Sequence, residues 1–455
     1  MQCVSQIVAR ALFYTALITL AACADTGTGT AAAQDSGAPS DDADGSSSGA
    51  GSGDGGLAAD SGATDTGSSA CGKQQGARPS RRSEHMGAFD PVSGKLVIFG
   101  GSFAVPVNCG FPASTFETET WVYDKACDLW HLANGKTPPA RARGMSALRT
   151  TGTSPYLVIT GGRYRPGKSG NYTFYDDLWA FDFKAEKWLE LSQSKTRPPA
   201  RVNATMTYSS KHDALLMFGG NTSKSGLQII PHNDLWQYTF SDSTWSKLQV
   251  AGPPSKRLWT AGLWDPKRER MVAFGGGDAS AFANTAKYFN DLWAFKPGAN
   301  GASWSRLDTK SGEKPDTRFW AAMTYDSKSD RYLMFGGHDD KSLGNRNDLW
   351  AFSPDDGQWL GIYVGDVPNK PANGQCSFPP DFTKMDGFSP ERRYAGVFSA
   401  GTDSVWLHGG KTDCGVIDDM FRLDLKTYKW HEVTGSTVGN SCLRKGGLTC
   451  NDYCF

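Results

Sequence analysis

Six residues, each two positions after a recurring arginine, have side chains that could bind a sugar or a peptide. Three are hydrogen-bonding and three are aromatic, and aromatic faces opposite hydrogen-bonding groups are typical of such sites. The pattern predicts a ligand site wherever the fold brings the six together. The alternative is architectural, with the rings packed between neighbouring repeats and the arginines ion-paired between them. The six residues are Glu84, Arg143, Asn203, Trp259, Trp320 and Tyr394.

The common catalytic and metal-binding motifs are missing from the sequence. It has no G-x-S-x-G elbow, no phosphate-binding Walker loop, no H-E-x-x-H pair and no EF-hand spacing, and its seven histidines are scattered. The run Gly-His-Asp-Asp at 337–340 could bind a cation, but as a lone cluster in a loop it is better explained as solvated surface. We therefore expect no metal and no cofactor.

The elements that must position these residues belong to a sixfold repeat, which starts near residue 78. Each unit has a leading arginine, an apolar run that ends in Gly-Gly, an Asp-Leu-Trp-like segment and a closing tryptophan. The leading arginines are Arg82, Arg141, Arg201, Arg257, Arg318 and Arg392. The glycine pairs begin at Gly100, Gly161, Gly219, Gly275, Gly336 and Gly409, and the closing tryptophans are Trp130, Trp188, Trp245, Trp304, Trp359 and Trp430.

Each unit contains four short β-type runs, here named a to d. Run b, such as Lys95 to Phe99, is almost continuously apolar, as in a strand buried on both faces. Four strands at this period predict an all-β fold, a six-bladed β-propeller. The pattern resembles the kelch-repeat family over about residues 78–433, with the Asp-Leu-Trp segment degraded in units one and six.

The resemblance carries implications for function. Kelch-like propellers include copper oxidases with Tyr, Cys and His ligands, a set that this sequence does not fill if its cysteines are oxidised. Other six-bladed relatives are mutarotases that act on sialic acid. By analogy with them, Arg82, Arg141 or Arg143 would hold a carboxylate and Glu84 would move protons.

Loop lengths favour one face of the propeller. The a–b and c–d turns are short, whereas the b–c and d–a connections are long and variable, the longest running from Gly361 to Glu391. Long variable loops on a rigid scaffold usually carry function. We therefore expect a binding module that recognises a protein or a glycan through the b–c/d–a face, with an enzyme of the mutarotase type as the alternative.

The first 22 residues predict an export signal, since Arg10 precedes an apolar run from Ala11 to Ala22 that is shorter than the about 20 residues a membrane span needs. The run leads into Leu20-Ala21-Ala22-Cys23, which resembles the lipobox of bacterial lipoproteins and implies lipidation of Cys23. An ordinary signal peptide with a chance cysteine is the competing interpretation. A lipid anchor on the cell envelope follows from the resemblance, and Ala24 favours the outer membrane.

Composition divides the rest of the chain. Residues 24–70 hold eight Asp and no Lys or Arg, so we expect residues 23–76 to form a solvated tether, 77–435 the propeller and 436–455 a tail. The whole chain balances 47 basic against 47 acidic residues, which argues against a nucleic-acid binder. Since the tether is acidic, the remainder is mildly basic, which favours an anionic ligand. We expect a monomer.

Eight cysteines remain outside the signal and the lipidation site, and their even number predicts disulfides in an exported protein. All lie around units one and six or in the tail, so we expect bonds that staple the junction between those units. A zinc site from Cys442, Cys450 and Cys454 is the rival interpretation. The eight are Cys71, Cys109, Cys127, Cys376, Cys414, Cys442, Cys450 and Cys454.

Overall fold

The computed structural model describes residue 71 and residues 77–102, 115–167, 170–225, 228–281, 286–298, 302–308, 310, 312–339, 344–365, 389–391, 393–412 and 415–437. Every described residue except Cys71 belongs to one compact unit. Its regular structure consists of 27 strands, and no helix occurs in these ranges.

The strands of the first three blades begin at β1 and end at β14. They are β1 (Met86–Asp90), β2 (Lys95–Phe99), β3 (Thr120–Asp124), β4 (Leu129–Leu132), β5 (Met145–Arg149), β6 (Tyr156–Thr160), β7 (Arg163–Tyr164), β8 (Thr173–Phe174), β9 (Leu178–Asp182), β10 (Lys187–Glu190), β11 (Thr205–Ser209), β12 (Ala214–Phe218), β13 (Leu235–Thr239) and β14 (Thr244–Leu248).

The last three blades contain the remaining strands. They are β15 (Ala261–Asp265), β16 (Arg270–Phe274), β17 (Leu292–Phe295), β18 (Trp304–Arg306), β19 (Ala322–Asp326), β20 (Arg331–Asp339), β21 (Gly344–Ser353), β22 (Gln358–Tyr363), β23 (Arg393–Tyr394), β24 (Val397–Ala400), β25 (Ser404–Thr412), β26 (Gly415–Asp424) and β27 (Trp430–Thr434).

These strands form six antiparallel meanders, one per repeat, and β7 with β8 forms a small hairpin in the b–c connection of blade two. Blade six also carries the two-residue strand β23. The innermost strands contact one another from blade to blade around the ring, and β24 of blade six contacts β1 of blade one. The second strand of each blade is almost wholly buried, as in β12. The predicted all-β, six-bladed propeller is confirmed.

The recurring arginines hold each blade together from within. Arg318 donates to the carbonyl oxygen of Gly336 at 3.0 Å and pairs through both terminal nitrogens with Asp348 at 2.6 and 2.8 Å. The indole Nε1 of Trp350 donates to the same carboxylate at 2.8 Å. The Arg, Gly-Gly and Asp-Leu-Trp signals are therefore parts of one buried network. Its ion pairs lie within a blade, so the architectural alternative was wrong to place them between blades.

The arginine contacts of this network, with a carboxylate and a glycine carbonyl, recur in blades one and six, where the sequence pattern looked degraded. In blade one, Glu119 takes the place of the aspartate and accepts from both Arg82 and Trp121 at 2.8 Å. In blade six, Arg393 pairs with Asp419, and its Nη1 donates to Gly409 at 3.2 Å. The prediction that Arg392 leads unit six was therefore wrong by one residue; Arg392 itself lies outside the described residues.

The glycine pairs are required where neighbouring blades meet. Gly275 has a φ of 65°, and a Cβ there would lie 2.8 Å from the carbonyl oxygen of Arg318 in the next blade. Gly276 donates its N–H to that same oxygen at 3.0 Å. Only glycine combines this backbone angle with so close an approach.

The ring closes without exchange of strands, because blade one contains its own β1 and blade six its own β27. Ordinary contacts between blades join the two, including Phe89 stacked on Trp406 with ring centres 5.0 Å apart. Before blade one, Arg78 donates to the carbonyl oxygen of Gly435 at 2.7 Å and lies 3.5 Å from Asp418. A polar clasp therefore ties the start of the propeller to its end.

Cys71 and Cys127 are both disulfide-bonded. The other six predicted disulfide cysteines, the lipidation candidate Cys23 and residues 438–455 of the predicted tail lie outside the described residues. A covalent staple across the junction therefore stays a prediction. In the described ranges no helix is long and apolar enough to cross a membrane.

Candidate functional site

A ring of six backbone positions surrounds the axis on the b–c/d–a face; we call it the inner ring. Each member has a positive φ, between 53° and 62°. In five of the six steps around the ring, the backbone N–H of a member donates to the carbonyl of the preceding one, as from Arg143 to Glu84 at 2.9 Å and from Trp320 to Trp259 at 3.0 Å. The members are Glu84, Arg143, Asn203, Trp259, Trp320 and Ala395.

One of the six predicted repeat positions is shifted by one residue in the structure. Because Arg393 leads blade six, the sixth member is Ala395 and not Tyr394. Tyr394 is the adjacent residue, and its ring still stacks on Trp320 with centres 5.2 Å apart and planes 14° from parallel. It therefore belongs to the same neighbourhood through its side chain rather than through the repeat.

A cavity of about 300 Å³ runs along the axis below the inner ring. Its walls are the innermost strands, with small side chains such as Ser146, Thr205 and Ala322. All six inner-ring residues line it. The small side chains of the innermost strands leave this space open, and the inner-ring residues border it.

Glu84 and Arg143 form a bidentate ion pair at the mouth of this cavity. Arg143 donates from Nε to Glu84 Oε2 at 2.7 Å, and its Nη2 lies 2.7 Å from Oε1. The guanidinium also lies over the ring of Trp320, on the opposite side of the mouth, at 4.9 Å. Arg143 thus spans the mouth from a carboxylate to an indole.

A second ring of residues, missed by sequence reasoning, follows directly after the glycine pairs; we call it the outer ring. Its members pair with the residue before each inner-ring position, as Arg163 does with Ala142 and Lys411 with Tyr394. The signal was present in the sequence as a fixed position after Gly-Gly with variable residue type. The members are Ser102, Arg163, Asn221, Gly277, His338 and Lys411.

Arg163 of the outer ring brings a second guanidinium to Glu84, with Nη2 at 3.9 Å from Oε2. Its charged group also lies 4.1 Å from the centre of the Tyr172 ring, and that of Arg165 lies 4.3 Å from the same centre. The Nε atoms of both arginines are buried and have no hydrogen-bond partner. Two cationic groups are thus stacked on one tyrosine with unused donors.

The pKa values reflect this crowding of positive charge. Burial works to raise the pKa of Glu84, but Arg143, Arg163 and Lys411 lower it below its usual value. Burial and the charge of Arg143 lower the pKa of Arg163 to about 10. Among the described residues, Glu84 is the one carboxylate that forms an ion pair with Arg143 or Arg163. Arg165 forms no ion pair with a described carboxylate, and its charged group lies on the Tyr172 ring. Buried cations ordinarily have partners, so the mouth has an excess of positive charge.

The other half of the mouth is aromatic. Trp320 lies between Trp259 and Tyr394, with ring centres 5.2 Å away in both directions, and Phe319 packs against Trp259 at 5.0 Å. Trp320 is partly exposed, whereas Trp259 is buried. Asn203 is 6% exposed and lines the cavity, and its Oδ1 has no hydrogen-bond partner. The mouth therefore combines cations, a stacked aromatic pair and an unused acceptor.

Arg82 and Arg141, the two other predicted ligand residues, are not part of the mouth. Both are 0% exposed, and they pair within their blades with Glu119 and Asp177. Their role in the structure is to hold each blade together. Of the eight predicted ligand residues, the structure thus brings six to the mouth.

The described ranges contain no group of three or more His, Cys, Asp or Glu side chains suited to a metal ion. In the Gly-His-Asp-Asp run, the His338 ring is hydrogen-bonded to Asn345 at 2.7 Å. Asp340 lies outside the described residues.

Taken together, the blades and the mouth define a six-bladed propeller with a charged and aromatic opening. The family model for the KLHDC2/KLHL20/DRC7 Kelch-repeats domain matches residues 63–220 and 150–378. This match covers more than half of the chain, which therefore belongs to the kelch-repeat family.

Individual relatives are distant. Kelch domain-containing protein 10 of Xenopus tropicalis is 22% identical over 65% of this chain and 65% of its own length. Kelch domain-containing protein 3 of Rattus norvegicus is 25% identical over 45% of this chain and 50% of its own. The flagellar outer-arm dynein alpha chain of Chlamydomonas reinhardtii is 27% identical over 46% of this chain, but that is 4% of the dynein. The chain thus spans less than two thirds of these relatives.

Among solved structures, that of YjhT superposes with a TM-score of 0.53 at 14% identity. The superposition covers 78% of this chain and 98% of YjhT. At that identity the similarity shows the fold.

Proposed function

We propose that this protein is a binding module for a ligand that carries a carboxylate, on a glycan or on a protein, and that it binds this ligand at the mouth formed by the inner and outer rings. The observation that carries the proposal is the excess of positive charge on partly buried arginines, facing a stacked tryptophan and tyrosine. An anion would supply the missing counter-charge, and the aromatic pair would hold an apolar face of the same molecule.

Each element of the mouth has a distinct part in this proposal. Arg143 and Arg163 would bind the carboxylate, with Arg165 adding to the positive potential. Trp320 and Tyr394 would pack against a sugar ring or an apolar side chain. Asn203 Oδ1, which has no partner, would accept a hydrogen bond from a ligand hydroxyl or N–H.

The test is a binding screen with the full-length protein. Arrays of glycans with and without carboxylates, and of peptides with free and amidated C-termini, separate the two sources of the anion. Arg163→Met should weaken binding by about tenfold, the loss expected for one charged hydrogen bond. Trp320→Ala should weaken it as well.

A matched control is Arg149→Met, because Arg149 also makes a bidentate pair, with Asp213 at 2.8 Å, but at the opposite end of the strands. This variant should bind as the wild type does. Equal binding of carboxylated and neutral probes, or equal loss in both arginine variants, would contradict the proposal.

The alternative function is interconversion of sugar anomers with Glu84 as the proton carrier. It is favoured by one observation: Glu84 is the one carboxylate residue among those that line the cavity. Its low pKa and its two contacts with Arg143 make it a weak base, which is why we favour binding. An accelerated anomer exchange that Glu84→Gln abolishes would reverse that preference.

We also propose that the protein is exported and held on the bacterial cell envelope by a lipid on Cys23. The short apolar run that leads into Leu20-Ala21-Ala22-Cys23 supports this, and disulfide-bonded Cys71 and Cys127 are consistent with an oxidising compartment. Metabolic labelling with a palmitate analogue should mark the wild type. A Cys23→Ser variant that is still labelled would contradict the proposal.

A further inference from the structure

The mouth already contains a carboxylate in the place where a ligand carboxylate would bind. Glu84 occupies Nε and Nη2 of Arg143, both at 2.7 Å. This edge of a guanidinium is one that recognises carboxylates with two parallel contacts. While Glu84 remains there, a ligand cannot pair with Arg143 along the same edge.

The Glu84 side chain is not needed to build the inner ring. The ring bonds are made by its backbone, whose N–H donates to Ala395 at 2.8 Å and whose carbonyl accepts from Arg143 at 2.9 Å. The equivalent position is Asn203 in blade three and Trp320 in blade five, so the architecture accepts other side chains. The carboxylate therefore has a role that the ring itself does not require.

A second place for this carboxylate lies nearby. Arg163 Nη2 is 3.9 Å from Glu84 Oε2, too far for a hydrogen bond, and Arg163 Nε is buried with no partner. A modest rotation of the Glu84 side chain would exchange one guanidinium for the other. Displacement from Arg143 would then leave Glu84 with a cationic partner, which keeps its cost low.

We propose that Glu84 is an internal competitor, which fills the carboxylate subsite of Arg143 when the protein is free and moves toward Arg163 when a ligand carboxylate arrives. This inference rests on the proposed function and makes Glu84 a specificity-determining residue. A small carboxylate such as acetate gains too little binding free energy to displace Glu84 from Arg143. A larger acid that also contacts Trp320 and Asn203 gains enough binding free energy to do so.

The experiment is a titration of the full-length protein with acetate, at constant ionic strength against chloride. Tryptophan emission reports on it, because the Arg143 guanidinium lies 4.9 Å from the Trp320 ring. Glu84→Gln should bind acetate about tenfold more tightly than the wild type does, and more tightly than it binds chloride. Glu84→Asn is the second variant, since blade three carries asparagine at this position. Glu186→Gln, which removes a carboxylate paired with Lys95 and His131, should leave acetate binding unchanged.

The outcomes separate this inference from the proposed function. If the wild type binds a carboxylated probe such as D-glucuronate, but neither Glu84 variant gains acetate binding, Glu84 is a structural counter-ion and the inference is wrong. Equal gains for acetate and chloride would also overturn it, since they indicate only a changed potential. If Glu84→Gln gains acetate binding while no larger acid binds the wild type, the subsite is supported and the proposed function fails.

Discussion

Loss of a recurring arginine should destabilise the propeller by an amount set by the burial of its carboxylate partner. Arg318 and Asp348 have side chains that are 1% and 4% exposed. Arg82 is 0% exposed, but its partner Glu119 is 38% exposed. Both arginines also donate to a glycine carbonyl. The sites differ in the solvation of the carboxylate that is left behind and in its contacts, because Asp348 accepts from two nitrogens of Arg318 and Glu119 from one nitrogen of Arg82.

The magnitudes follow from that difference. Arg318→Met leaves the Asp348 carboxylate buried with only the neutral indole N–H of Trp350 donating to it, and breaking a buried ion pair in this way costs about 3–5 kcal/mol. Arg82→Met leaves a carboxylate that water can reach, so its cost should be about 1–3 kcal/mol, the range for lost hydrogen bonds to charged groups. Arg318→Met combined with Asp348→Asn should be less destabilised than Arg318→Met alone.

Urea unfolding of the full-length protein, followed by tryptophan emission and by far-ultraviolet circular dichroism, measures these differences when the two transitions coincide. Urea is preferable to guanidinium chloride because it leaves ion pairs unscreened. If Arg82→Met costs as much as Arg318→Met, or if Asp348→Asn adds to the cost of Arg318→Met, burial of the carboxylate does not set the energy.

Three further predictions address the blade contacts, the histidine pair and the junction. Gly275→Ala should cost about 1–3 kcal/mol from backbone strain, plus its clash with the next blade, whereas Gly94→Ala, at a φ of 69° and with its nearest contact 3.8 Å from the new Cβ, should cost the strain alone in the same urea assay. His85 and His408 are buried in contact, and burial lowers the pKa of His85 to about 3 and that of His408 well below its usual value. Because the unfolded chain binds protons below pH 6.5 that the folded one does not, stability should fall between pH 6.5 and 5 by up to about 1.4 kcal/mol per pH unit for each histidine, and replacing both by glutamine should flatten that slope. Arg78→Ala should speed hydrogen exchange of the last strand, β27, while β12 keeps its protection; unchanged exchange in β27 would show that the clasp is dispensable.

The fold was readable from the sequence because its architectural residues repeat in type. The Arg, Gly-Gly and Asp-Leu-Trp signals recur because their residues contact one another through the arginine and the carboxylate, as in blade five. The register of blade six was not readable, because Arg392 and Arg393 are adjacent and the spacing from arginine to Gly-Gly varies from blade to blade: 18 residues in blade one, 20 in blade two and 16 in blade six. Only the contacts of Arg393 with Gly409 and Asp419 decide between the two.

Only the inner ring of the candidate site could be predicted from the sequence, and the outer ring could not. The inner ring could be found because it lies at a fixed distance from the leading arginine. The outer ring lies at an equally fixed distance from the glycine pair, but the approach of Arg163 to Glu84 depends on how the b–c connection of blade two folds back. The same folding places Arg165 against Tyr172, and no local pattern in the sequence specifies that contact.

The inner ring shows how a symmetric fold can hold an asymmetric site. All six of its members are non-glycine residues at positive φ, where glycine would avoid the strain, and such strain persists only where the surroundings enforce it. Here the enforcing contacts are the backbone bonds from member to member, which do not depend on residue type. A glutamate, an arginine, an asparagine, two tryptophans and an alanine can therefore occupy equivalent positions without altering the ring. At such positions the backbone conformation repeats while the side chain varies, so ligand recognition can change at little cost in stability. In this protein both the inner ring and the outer ring have this property, and both lie at the same mouth.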